Sequence, residues 1–491
     1  MKIIKLGILL FCIGIFHTSF AQTYTNDKKY PVAELKKDLA ILKEQLELNH
    51  IGLYTYTSKS EMDQYFQQLE ASIITPMTDI EFLRLIFPLN AKIANGHTSL
   101  IPSGTYFKTA RNKWKLLPLE VYWDQDQLYV VQDHSEKHLI KEGSIIKTIN
   151  GKDATQLFKK LADTFWRDGY NKTAPNAYLT DRFALYYAFL IDIPTTFNLE
   201  IINPEGEVNT IELKAQTLAT SKKIKEKRYG IKESWLRTNT PALELSINNN
   251  IATMTIRSFD KAIKKLKKQK FKKFYKDAFT KIKGAGVEHL IIDIRDNSGG
   301  HPMPTIELFA YLHQEPFTFY ESASTNVQRL PKGLYNANFF ERIAFPLGLK
   351  KKGTIYEPNG IAQLLALPGL KPSKPNSPYY GGKVYVLTNE NSFSASGEMT
   401  AILKEHNRAT FIGEEPGGNP IENISGVQYF LTLPATGNRI LMPFIRFKMN
   451  VDFENTGRGI LPDYPVRPSI NYIINGHDKV MAFTLDLIQK E

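Results

Sequence analysis

The chain is predicted to be a mixed α/β protein, and three observations predict it. His289-Leu290-Ile291-Ile292-Asp293 is a nearly unbroken apolar run, as found in strands buried on both faces of a parallel sheet. Strand-like and helix-like segments alternate through the C-terminal half, which predicts helices layered on such a sheet. Ahead of them, leucines recur at helical spacing over residues 32–89, which predicts a separate helical layer. With 491 residues the chain has material for two or three domains, and its apolar and charged fractions are ordinary for a globular protein.

Residues 1–21 have the form of a secretory signal peptide. Lys2 and Lys5 precede an apolar stretch over 6–16, and Ser19-Phe20-Ala21 supplies small residues at a cleavage site. Export to the periplasm or the exterior is therefore expected. The apolar stretch is too short for a membrane anchor, and no later segment is long enough to span a bilayer. The single cysteine, Cys12, lies inside this peptide and follows Phe11, where a lipoprotein signal carries a small residue. A mature chain without lipid anchor, disulfide or thiol nucleophile is expected.

Residues 22–110 are expected to form a helical domain. Leu35, Leu39, Leu42 and Leu46 mark one helix, and Met62, Tyr65, Phe66 and Leu69 a second. Pro76 then punctuates, and Thr78 caps a third that begins at Glu81-Phe82-Leu83. A loop follows, Asn95-Gly96-His97-Thr98-Ser99. Residues 111–220 are β-rich, with strands at 128–131 and 145–148, an Asn150-Gly151 turn and a helix over 154–161. This strand–turn–helix order resembles a PDZ domain, a module that binds an extended peptide by adding it to a sheet edge. An ordinary hairpin with an Asn-Gly turn has the same local pattern. A helix-like insertion at 164–191 interrupts the module, and 211–215 is expected to return as its last strand. Residues 221–240 form a polar, lysine-rich linker. The α/β core occupies 241–491. Within it 326–378, rich in Pro, Gly and Lys, is an insertion that could serve as a lid.

The formal net charge is +12. Much of it lies between Lys261 and Lys283, where Ile263, Leu266, Phe271, Phe274, Ala278 and Ile282 recur at helical spacing among lysines. That is a solvated amphipathic helix or a patch for an anionic surface. No nucleic-acid motif accompanies it, and an exported chain is not expected to meet nucleic acid.

Two turns carry chemistry. Asn391-Ser392-Phe393-Ser394-Ala395-Ser396-Gly397-Glu398 joins the apolar run 384–387 to a helix-like segment. A serine at such a junction is exposed beside unpaired N–H groups, which suits a nucleophile as well as a plain helix cap. Asp296-Asn297-Ser298-Gly299-Gly300 follows the buried strand, and a Gly-Gly turn there lets backbone N–H groups form an oxyanion hole.

Together, the run from Asp293 to Gly300 and the turn Ser392-Phe393-Ser394-Ala395-Ser396 resemble the oxyanion and nucleophile turns of the tail-specific (carboxyl-terminal processing) proteases. The resemblance covers the PDZ-like module and most of the C-terminal half, and it implies a crotonase-like (ClpP/crotonase) catalytic core. It also implies that Ser394 is the nucleophile, with Ser392 and Ser396 as neighbours. The amides of Ala395 and of Gly299 or Gly300 would then bind the oxyanion. One branch of the family uses a lysine base after a Gly-Glu-Pro turn. Here Gly413-Glu414-Glu415-Pro416-Gly417-Gly418 is followed by Asn419 and Pro420, with no lysine. The tricorn-core branch instead uses an upstream histidine and a late glutamate. Gly96-His97-Thr98 and Phe453-Glu454-Asn455-Thr456-Gly457 match those positions, which implies His97 as base and Glu454 as its orienting partner. That branch has a serine before its histidine, where this chain has Gly96, and Thr98 is the available substitute.

The expected function is an exported serine endopeptidase acting on extended polypeptides without a cofactor or metal. His301, just after Gly300, is a competing base or a substrate contact, and His134 and His138 have a spacing that would suit a metal but no third ligand. The alternatives are a non-catalytic ligand- or peptide-binding protein on the same fold, like the interphotoreceptor retinoid-binding proteins, or an esterase or amidase.

Overall fold

The protein is described by a computed structural model over residues 27–106, 113–230, 234–326, 333–338, 340–342, 353–358 and 360–491. The predicted signal peptide lies outside the described residues. Among the described residues, no helix is long and apolar enough to cross a membrane.

The helical layer comprises Val32–Asn49, Lys59–Ser72, Asp79–Ile86 and Leu89–Ile93. Leu35, Leu39, Leu42 and Leu46 form the buried stripe of the first helix. Thr78 caps the third as a capping box: its hydroxyl accepts from the Glu81 amide, and its own amide donates to Glu81 Oε2 at 2.8 Å. These helices share one continuous apolar core with the β-rich module.

The module is an antiparallel sheet. Val208–Lys214 lies at one edge, followed by Thr196–Ile202, Ile145–Ile149, Gln127–Asp133 and Leu119–Asp124. Helix Ala154–Ala162 closes over it, with Phe158 stacked on Trp123 at 4.1 Å. The insertion contributes helices Thr173–Asp181 and Phe183–Leu190. Part of the stretch read as linker is helix, Leu218–Tyr229. It buries no residue, so it carries no apolar period. It is held instead at its end, where Arg228 donates to the Ser135 carbonyl and Tyr229 bonds the Asp133 backbone.

The C-terminal half is built on a six-stranded sheet in the order Leu243–Asn248, Ile251–Ile256, His289–Asp293, Lys383–Thr388, Thr410–Gly413, Tyr464–Pro465. It is parallel except for its first pair. Leu290 and Ile292 face the core under helices Phe271–Gly284, Pro302–Phe309 and Ala395–Glu405. Ile291 faces Val480 and Ile488 of helix Lys479–Gln489. Burial on both faces accounts for the unbroken apolar run.

The basic segment is two helices rather than one, Ile263–Leu266 and Phe271–Gly284. The chain breaks at Lys268, whose φ is +56°. There Lys267 and Gln269 turn inward, Lys267 to the Thr238 carbonyl and Gln269 to the Leu243 carbonyl, both at 2.6 Å. Tyr275 and Phe279 join the buried stripe, while Leu266 is exposed.

A second sheet has no counterpart in the sequence reading. It runs Thr354–Tyr356, Ala362–Leu364, Tyr320–Thr325, Arg439–Met449, Glu422–Thr432. The described strands of the 326–378 insertion are thus the edge of this sheet. Ser99–Ile101 pairs with the start of Arg439–Met449, along the same edge that Tyr320–Thr325 occupies at its end. This pairing fixes the loop before Ser99, and so His97, against the C-terminal half.

Candidate active site

Strand Lys383–Thr388 feeds the serine turn, and helix Ala395–Glu405 starts directly after Ser394. Ser392 donates from Oγ to the Ile294 carbonyl at 2.8 Å, and Ser396 to the Asn297 carbonyl at 2.7 Å; both are wholly buried. Those two hydroxyls lock the serine turn onto the glycine turn. Ser394 alone of the three is partly exposed. Its backbone sits at φ +57°, ψ −119°, a conformation that costs a non-glycine residue about 1–3 kcal/mol. The strain aims its side chain out of the junction, as in a nucleophile elbow.

The glycine turn is held by Asn297, whose Nδ2 donates to the Ile256 carbonyl at 2.8 Å and whose Oδ1 accepts from the Gly299 amide at 2.9 Å. The Gly299 N–H is therefore engaged. Bonding to Phe259 uses the Gly299 carbonyl and the His301 amide, which leaves the Gly300 amide outside that bridge. The Ala395 amide is the first of its helix and has no intrahelical acceptor. Of the three amides weighed for the oxyanion, Gly300 and Ala395 are the two left to donate. Gly299 has another role. At φ +95°, a Cβ on it would stand 2.6 Å from the Phe393 carbonyl oxygen and 2.8 Å from Ser394 Cβ. Only glycine lets the two turns meet.

His97 lies over the serine turn, its ring 4.5 Å from that of Phe393. Its Nδ1 is buried and has no hydrogen-bond partner among the described residues. Burial takes its pKa down to about 3. Gly96 has a steric reason: a Cβ there would stand 2.6 Å from the Phe393 ring. A serine at 96 is thus incompatible with this packing. Thr98 does not stand free in its stead, because its hydroxyl donates to Asn95 Oδ1 at 2.7 Å and lies 2.8 Å from His50 Nε2. Glu454 is exposed. Its loop is tied close by, through Asn455, which accepts from the Asn419 side chain at 3.4 Å, and through the Gly457 carbonyl, which accepts from the Tyr170 amide at 2.7 Å. Among the described residues no hydrogen bond joins Glu454 to His97. The structure thus brings the His97 ring onto the serine turn and leaves the glutamate side chain in solvent.

The other three histidines considered from the sequence are occupied. His301 caps helix Pro302–Phe309 through Nδ1, and its Nε2 lies 2.9 Å from Lys261 Nζ. His134 bonds Gln132, and His138 bonds Glu142. Among the described residues no cluster of three metal-ligating side chains occurs.

Sequence reasoning missed a buried polar chain behind Ser394. Asn423, on Glu422–Thr432, places Nδ2 3.5 Å from Ser394 Oγ and 2.7 Å from Glu398 Oε1. The Tyr320 hydroxyl donates to Glu398 Oε2 at 2.7 Å. Burial pushes the Glu398 carboxyl up, and these two donors pull it back. Glu398 fixes which way the Asn423 amide faces, because a carboxylate accepts only from its NH₂ side. The signal for Glu398 was present: it is a lone carboxylate one helical turn after Ser394, among small and apolar residues. Asn423 had none, since its place depends on a distant sheet. Asn423→Ala is expected to lower kcat about tenfold with KM nearly unchanged, the worth of one hydrogen bond to a developing charge. Peptidase kinetics on the folded variant test this.

Fold and serine turn together define a serine-type peptidase. Residues 250–466 match the family model of peptidase family S41. Among solved structures, mature CPAF matches with a TM-score of 0.61 at 14% identity, over 94% of this chain and 97% of that one. Mature CPAF complexed with lactacystin matches with the same TM-score at 15% identity, over 94% and 98%. At such identities the likeness is one of fold. No curated protein matches the chain.

Proposed function

We propose that the protein is an exported serine endopeptidase of the tail-specific type, with a crotonase-like core and the base arrangement of the tricorn-core branch. A PDZ-like module would hold an extended polypeptide and deliver it to Ser394. Ser394 Oγ attacks the peptide carbonyl carbon as His97 takes its proton, through the ring nitrogen that is not buried. The carbonyl oxygen becomes an oxyanion facing the Gly300 and Ala395 amides. His97 returns the proton to the leaving amine, and water then hydrolyses the acyl-enzyme by the reverse path. Glu454 is the carboxylate that orients His97. Such contacts commonly tighten only in the substrate complex, which is where this one is assigned.

The observation that carries the proposal is Ser394 itself: a strained, partly exposed hydroxyl at a helix N-terminus, flanked by two serines already committed to structure. The test is labelling of the purified protein with a fluorophosphonate and mapping of the modified peptide. Modification confined to Ser394 is the expected result. A folded protein that is not labelled would instead fit the non-catalytic binding alternative. Equal turnover of long peptides and short esters would fit the esterase or amidase.

A further inference from the structure

The segment 168–173, inside the helical insertion of the β-rich module, touches both the loop of the proposed base, His97, and the loop of its proposed orienting carboxylate, Glu454. Asp168 is buried. Its Oδ1 accepts from the Gly96 amide at 2.6 Å and from Asn95 Nδ2 at 3.4 Å, and its Oδ2 from the Asn419 amide at 3.3 Å. Its neighbour Gly169 donates to the Ala94 carbonyl at 2.9 Å, so the loop is gripped on both sides of Asn95, at Ala94 and at Gly96, the residue directly before His97. A Cβ on Gly169 would lie 2.3 Å from the Gly457 carbonyl oxygen, and the Tyr170 amide donates to that same oxygen at 2.7 Å. Asn171 and Thr173 donate to the carbonyls of Pro416 and Glu415, both at 3.0 Å.

Neither His97 nor Glu454 is held by a partner of its own side chain among the described residues. The orientation of the His97 ring therefore depends on its backbone and on Phe393. We propose that Asp168 is a positioning residue for His97, acting through the Gly96 amide, and that segment 168–173 is a clasp setting the His97 loop relative to the Glu454 loop. This role rests on the assignment of Ser394 and His97 made above. An acceptor-only side chain is required at 168, because two backbone N–H groups and one amide NH₂ converge on it. Asparagine would turn an NH₂ toward one of those donors. The clasp also ties the geometry of the base to the β-rich module, whose insertion supplies it.

The experiment is a double-mutant cycle read by the rate of fluorophosphonate labelling of the full chain, which needs no knowledge of the substrate. Asp168→Asn is expected to slow labelling about 10–100-fold at neutral pH, a partial loss of the roughly 10²–10⁴-fold that general base catalysis contributes. In a His97→Ala background the same change is expected to alter the residual rate less than twofold, because a residue that acts through His97 has nothing left to position. Labelling by both single variants should also rise steadily with hydroxide concentration, while the wild-type rate levels off once His97 is neutral. A wild-type rate in Asp168→Asn, or the same loss with and without His97, overturns the role. If Asp168→Asn does not fold, Asn171→Ala loosens the same clasp from its other side. It is expected to show a smaller loss with the same dependence on His97, and independence from His97 overturns the role equally. A wild-type protein that is never labelled at Ser394 refutes the peptidase assignment itself, a result distinct from either.

Discussion

Ser394→Ala is expected to reduce peptide hydrolysis by about 10⁴–10⁶-fold, to the residue of catalysis that an oxyanion site and substrate binding retain without a nucleophile. The loss should fall on kcat. The substitution removes one oxygen whose one side-chain hydrogen-bond partner among the described residues, Asn423 Nδ2, is 3.5 Å away, so binding surfaces and packing should be little changed. Thermal stability should therefore stay near that of the wild type. Ser392→Ala and Ser396→Ala should behave in the opposite way. Each deletes a buried hydroxyl that holds the serine turn to the glycine turn at 2.8 or 2.7 Å, so each should lower the melting temperature, with activity falling as a consequence. Hydrolysis and melting curves of the three variants together separate the nucleophile from its structural neighbours. Retained activity in folded Ser394→Ala would refute the proposed mechanism outright.

The division between what was readable in the sequence and what was not follows the range of the interactions. The strand His289–Asp293 and both turns were readable because their causes are local: burial on two faces demands an unbroken apolar run, and a tight approach demands Gly299. The second sheet was not. Its long strand Glu422–Thr432 is interrupted by a register shift between Ser425 and Gln428, and its partner strand contains Pro443, so neither keeps a clean alternation. Its contact with Ser99–Ile101 spans most of the chain. Asn423 and Asp168 act through such contacts, and each looks like any other polar surface residue when read locally. The basic helix shows the intermediate case. Its period was real, but a turn in which Lys267 bonds a loop carbonyl and Gln269 a carbonyl of the edge strand broke it at Lys268.

Replacing the proposed base, His97, is expected to have the second largest effect, with an opposite sign in stability. His97→Phe should lower kcat about 10²–10⁴-fold, the usual contribution of a positioned general base. The same change should leave the resting protein at least as stable at neutral pH. It removes a buried Nδ1 with no partner among the described residues, a group whose desolvation costs about 1–3 kcal/mol, and keeps a ring packed against Phe393. The gain should grow in acid. The folded-state pKa of His97 is about 3, below its ordinary value of 6.5, so between those values the unfolded chain binds a proton that the folded chain refuses. Stability of the wild type is thus lost as pH falls from about 6.5 toward 3, and His97→Phe escapes that part of the loss. Urea midpoints of both proteins at pH 7 and pH 4.5 measure the difference, and an equal acid shift in the two would show that His97 is not held neutral by burial. A histidine this reluctant to protonate is a weak base at rest. Bringing a carboxylate to it raises its proton affinity, so Glu454→Gln should cost activity without costing stability. That pairing of outcomes is what an active site completed only in the substrate complex requires.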